Sequence, residues 1–150
     1  MKPLIILIIT FLITAIIIRL VWHSHDLVLP GCIAMAAMLL FTSLGHFLFT
    51  KGMAMMVPGF IPFKQAMVYF TGLFEIIAAA GLLFQTTRII SGWLLILFLI
   101  LMLPANINAA VQQIDYEKAN YQGKGLPYLW FRVPLQLFFI AWIYIFAVHS

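Results

Sequence analysis

The sequence predicts an all-α transmembrane helix bundle, and three observations carry that expectation: 65% of the 150 residues are hydrophobic, only 8% are charged, and the apolar residues fall into runs of about 20, the length that crosses a bilayer. Mean hydropathy is +1.14, and the apolar share is well above the roughly 45 to 50% usual for soluble domains. A soluble fold of this size could not hide so much apolar surface. The chain therefore reads as a single integral membrane domain over residues 1–150.

At about 1.5 Å rise per residue, a hydrocarbon layer of about 30 Å takes about 20 residues. Five segments are long enough: 4–22, 31–50, 65–84, 89–111 and 129–148. The first follows Lys2 and so looks like a secretion signal, but it exceeds the usual core of about 7 to 15 residues and no small-x-small cleavage site follows it. It is expected to be a retained helix. The second holds Cys32, the one cysteine, which excludes an intramolecular disulfide and a Cys-x-x-Cys redox centre and reads as packing. The phrase Leu29-Pro30-Gly31-Cys32 resembles a lipoprotein cleavage site, yet the polar stretch His23-Ser24-His25-Asp26 separates it from the first apolar run.

Between the second and third segments, Met53 to Phe63 is too apolar for a solvated loop and, with Pro58, Gly59 and Pro62, too punctuated for a helix. It is expected to lie at the membrane interface or to fold back toward the bundle. Its methionines are soft enough for Cu(I), but with no second soft cluster nearby they read as flexible apolar filling. The third segment contains Glu75. In the fourth and fifth, Pro104 and Pro134 each remove a backbone donor, which is expected to free the carbonyls of Ile100 and Trp130.

The cations set an orientation. Lys2, Lys51, Lys64, Lys118, Lys124 and Arg132 fall on one side of a five-pass chain, and only Arg19 and Arg88 on the other. By the positive-inside rule the N-terminus is expected in the cytoplasm and the C-terminus outside, in a cell membrane of the bacterial inner-membrane kind. The net charge of +4 then reflects topology and anionic headgroups, with no sign of nucleic acid as a partner.

Glu75 is the one acid within an apolar span. An ionised group there costs roughly 2.5 to 3.5 kcal/mol and is normally offset by a partner or a task. Counting residues inward at about 1.5 Å each puts His46 about 6 Å deep, Asn106 and Gln136 about 10 Å, Glu75 about 15 Å and Arg132 shallower. His46, Glu75, Asn106, Arg132 and Gln136 are therefore expected to form an intramembrane polar pocket opening to the cytoplasmic side. Asn108, Thr71 and Ser43 are secondary candidates. Small and polar positions one turn from Glu75 (Thr71, Gly72, Ala78, Ala79) point it at protein, and Thr42, Ser43, His46 and Thr50 share a face of the second helix. Asn106 and Asn108 lie two apart, so only one of them is expected to meet the pocket. An ionised Glu75 needs Arg132 or a protonated His46 within about 4 Å; a neutral one needs only an acceptor.

Blander roles compete with each of these: intramembrane Asn and Gln often serve only as interhelical glue, and an Arg near a helix end snorkels to the headgroups. His23, His25, Asp26 and His149 collect on the outer side, but no cysteine or second carboxylate completes a metal set there. No metal site is expected. Arg19 and Trp22 read as interfacial anchors.

The runs Gly45-His46-Phe47, Met56-Val57-Pro58 with Pro62, Leu73-Phe74-Glu75-Ile76, Leu103-Pro104-Ala105-Asn106-Ile107 and Arg132-Val133-Pro134-Leu135-Gln136 together resemble the DoxX-like membrane proteins, over about Leu29 to Val148. The resemblance implies a four-helix bundle, to which this chain adds an N-terminal transmembrane helix outside the family pattern. It implies His46, Pro58, Glu75, Pro104, Asn106, Arg132 and Gln136 as motif positions, with Pro134 beside them. It also implies redox-linked work: family members include a subunit partnered with a thiosulfate:quinone oxidoreductase and a component of a membrane oxidative-stress complex, while related eukaryotic proteins are chaperones for membrane proteins.

Three functions remain open at this point. One is an accessory subunit of a membrane, redox-linked complex, with a membrane-protein partner or a second copy of itself. Another is an oxidoreductase subunit binding a quinone-like or other small lipophilic ligand; no self-sufficient catalytic motif is present, so such chemistry would come from a bound quinone or a partner. The last, a transporter or proton relay, is disfavoured because the outer half of the chain offers almost no polar residues for a continuous path.

Overall fold

A computed structural model describes residues 2–23 and 26–149. It is helical, with six α-helices in the order α1 (Lys2–Trp22), α2 (Val28–Leu48), α3 (Thr50–Met56), α4 (Lys64–Leu83), α5 (Arg88–Val111) and α6 (Leu126–Ile143), the last continuing as a π-helical turn over Tyr144–Val148. Five of these, counting α6 with its π turn, are long and apolar enough to cross a membrane, which marks a multi-pass membrane protein. Each lies within a few residues of its expected segment.

The sixth helix corrects the sequence reading. Thr50 to Met56 is helical, where the stretch from Met53 onward was expected to be irregular. The chain bends at Phe49 without losing its hydrogen-bonding pattern, since the Phe49 amide donates to the Gly45 carbonyl at 2.8 Å and the Met53 amide to Phe49 at 2.9 Å. The helix breakers act only afterwards: Pro58 to Ile61 forms a turn closed by the Ile61 amide on the Pro58 carbonyl, 3.1 Å. Phe60 and Phe63 point outward there, 83% and 85% exposed.

The core is apolar and close-packed. Leu7 of α1, Met35 of α2, Leu82 of α4, Leu95 of α5 and Ile143 of α6 are almost wholly enclosed. Lipid is as apolar as these side chains, so close packing and small residues hold such helices together. Gly31 is one instance: a Cβ there would collide with the Phe146 ring, and its carbonyl accepts the Trp142 indole N–H at 3.1 Å. Phe11 of α1 stacks edge-on against Trp142, with centroids 5.0 Å apart, which attaches α1 to α6. Cys32 is buried and donates to the Phe146 carbonyl at 3.3 Å.

One end of the bundle gathers cations. Lys2 meets Glu117 at 3.3 Å, Lys124 and Arg132 both lie over the Tyr128 ring, and Lys51 and Lys64 line one pocket with Gln112 and Tyr121. The 112–125 connection at this end is ordered by an isolated bridge between Asp115 and Asn120. Its Asp115 carboxylate also accepts the amides of Glu117 and Lys118.

Candidate functional site

Two polar seams run between the helices. The first joins α2 to α4. Glu75 is buried, 7% exposed, and both its oxygens are engaged: Oε2 accepts the Thr42 hydroxyl at 2.9 Å, and Oε1 lies 3.5 Å from His46 Nε2. Nδ1 of His46 lies 3.1 Å from the Val68 carbonyl and 2.9 Å from Thr71 Oγ1. Thr71 donates its own proton to Val68 at 2.9 Å.

A carbonyl only accepts, so with the Thr71 proton directed to Val68 the contacts of Nδ1 suit the tautomer in which Nδ1 carries the hydrogen. A single proton between Nε2 and Glu75, 3.5 Å apart, has two arrangements, carboxylic acid with neutral imidazole or carboxylate with imidazolium. Both leave the pair without net charge, which is what a buried site tolerates.

Helix packing makes this contact possible. Gly72 faces α2 where His46 sits, and a Cβ on Gly72 would come within 2.8 Å of the His46 Cβ. About two turns further along α4, Ala78 and Ala79 are buried as the small-residue stripe predicts.

The second seam joins α5 to α6 and α3. Asn106 donates to Gln136 Oε1 at 3.3 Å, and Gln136 donates in turn to the Leu99 carbonyl. The acceptor that Gln136 uses is thus Leu99, next to the Ile100 carbonyl expected from Pro104. Asn108 points elsewhere, as a spacing of two requires: it donates to the Met56 carbonyl at 2.9 Å and accepts from Gln112 at 2.7 Å. It thereby pins the end of α3 to α5.

Among the described residues no hydrogen bond or ion pair links these two seams, and Arg132 belongs to neither. Its guanidinium lies 5.9 Å from the Tyr128 ring centroid, toward the cationic end of the bundle. Ser43 is buried but donates to Leu40 within its own helix. Thr42 was the residue that sequence reasoning left out of the site; its place on the His46 face, four positions earlier, was the available signal. The Val68 carbonyl carries no sequence signal at all.

On the opposite end, His149 stacks on Tyr144 with centroids 6.0 Å apart, and Asp26 accepts the Val28 amide at 2.9 Å. His25 and the Trp22 side chain lie outside the described residues. Among the described residues no three His, Cys, Asp or Glu side chains come together as a metal set.

Residues 35–147 match a family model described as a domain of unknown function, DUF8561. The chain belongs to that family. The matched stretch starts within α2, ends in the π turn and contains both seams, leaving α1 outside. No curated protein and no solved structure matches the chain.

Proposed function

We propose that this member of DUF8561 is an accessory subunit of a redox-linked membrane complex, DoxX-like in architecture, with a four-helix core of α2, α4, α5 and α6 to which α1 is added. The observation that carries this reading is that every buried side-chain nitrogen and oxygen among the described residues has a partner within the chain. Polar groups spent on one another hold helices in register, and that is a structural task. The start of the DUF8561 match inside α2 supports treating α1 as an addition. The gathering of cations at one end supports a cytoplasmic N-terminus in a bacterial inner membrane.

A second reading has one observation in its favour. The buried contact of His46 with Glu75, 3.5 Å, brings together two groups of the kind that a quinone-like or other small lipophilic ligand would draw on for protons. Mass spectrometry of the purified protein separates the two readings. An accessory subunit retains no lipophilic redox molecule, and Glu75→Gln leaves its cellular phenotype intact. A retained quinone that Glu75→Gln releases would overturn the accessory reading.

A further inference from the structure

At the cationic end the chain forms an open pocket of about 400 Å³ lined by Lys51, Lys64, Gln65, Gln112 and Tyr121, with Gly59 and the α3 side chains at its wall. None of the four acidic residues lines it. Neither lysine makes an ion pair among the described residues, where the ion pairs are Lys2–Glu117 and His46–Glu75. Two lysines lining one cavity without a counter-charge carry like charges that repel, and an anion between them removes that repulsion.

The remaining groups suit the same occupant. Gln65 and Gln112 offer amide N–H donors and Tyr121 a phenol O–H. Lys64 and Gln65 open α4, a 20-residue helix whose first turn has no side-chain cap, so unbonded backbone amides and the positive end of the helix dipole lie at the same place. An oxyanion with several acceptor oxygens is what this donor set fits.

We propose that the pocket binds a phosphate group, carried by the headgroup of an anionic phospholipid. Its position argues for the lipid. Lys64 begins α4, Gln112 follows the last residue of α5, and Lys51 lies just past the end of α2, so the pocket sits where three apolar helices end, at headgroup level. Its volume falls within the range of about 300 to 1,000 Å³ of small-molecule sites, more than a bare phosphate ion fills. Phe60, beside Gly59 in sequence, is exposed and available to acyl chains. This site adjoins the second seam through Gln112, which also bonds Asn108, and does not rest on the accessory reading.

The test is thermal unfolding of detergent-purified protein, paired with native mass spectrometry, with phosphatidylglycerol, phosphatidylcholine or inorganic phosphate added. Phosphatidylglycerol is expected to be retained and to stabilise more than phosphatidylcholine. Lys51→Gln with Lys64→Gln should weaken its retention roughly tenfold, as loss of charge-assisted hydrogen bonds implies, while Lys51→Arg with Lys64→Arg keeps it. Stabilisation by inorganic phosphate alone that is lost in the Gln pair supports the same site with a soluble source. Retention unchanged in the Gln pair, or reduced equally by Lys118→Gln with Lys124→Gln, would overturn the proposal, the latter by tracing binding to overall charge. If the Gln pair does not fold, Gln65→Leu with Tyr121→Phe gives the same reading through the neutral donors: weaker retention supports the site and unchanged retention overturns it.

Discussion

Gly72 lies so close to His46 that the two backbones meet without room for one more carbon: a Cβ on Gly72 would sit 2.8 Å from the His46 Cβ and 3.3 Å from Phe47 Cε2. The first atom belongs to the stem of a residue fixed on α2 and cannot swing aside. Gly72→Ala is therefore expected to force α2 and α4 apart, at a cost of about 1 to 3 kcal/mol. Thermal unfolding in detergent measures it, and a variant as stable as the parent would mean that the helices do not approach so closely.

Glu75 gives a second expectation, because its neighbours ask for one acceptor and one donor. In Glu75→Gln the amide oxygen still accepts from Thr42 and the amide N–H donates to His46 Nε2, so the loss should stay below about 1 kcal/mol. Glu75→Ala leaves Nε2 without its partner and should cost about 1 to 3 kcal/mol. Equal losses in the two variants would show that the pair is held as separated charges, which an amide cannot replace.

The second seam predicts a contrast between two residues one turn apart. Gln136→Leu strips partners from Asn106 and the Leu99 carbonyl, for about 0.6 to 2 kcal/mol. Arg132→Gln touches neither seam and should change stability by no more than about 0.5 kcal/mol. Chemical unfolding of both variants side by side checks this; a larger effect from Arg132 would return it to the buried site.

That contrast also marks what the sequence could and could not reveal. Hydropathy and helix rise located five spans to within a few residues, because each span must match the thickness of the bilayer. Counting along a helix gives depth, and depth put His46, Glu75, Asn106 and Gln136 into one pocket, which the structure divides into a His46–Glu75 contact and an Asn106–Gln136 contact. Depth carries no information about which neighbour a side chain meets, and Arg132, at a plausible level, turns to Tyr128 instead. Helix α3 was hidden for a different reason. Pro58 and Gly59 suggest a break over the whole stretch from Met53, whereas the helix persists to Met56 and only the residues beyond it are irregular.

Tyr116, in the 112–125 connection and outside the membrane-spanning helices, titrates above its ordinary value of 10.0, chiefly because burial disfavours the phenolate, with the Glu117 charge adding to the effect and Arg132 opposing it. A raised folded-state value means that the folded chain holds the proton more tightly. The associated stability is then fully present below about pH 10 and is lost as pH rises through the folded value. Tyrosinate absorbance, taken as the difference between the parent and Tyr116→Phe, should show this late ionisation, and Arg132→Gln should delay it further. Ionisation at or below the ordinary value would contradict the placement of Tyr116.

The accessory-subunit account meets its most direct test in native mass spectrometry of the protein extracted from membranes at its natural abundance. The account predicts an assembly that releases, on dissociation, a second and distinct polypeptide in fixed ratio to the 17.0 kDa chain. An assembly made only of 17.0 kDa chains, alone or with a bound redox molecule, would contradict it.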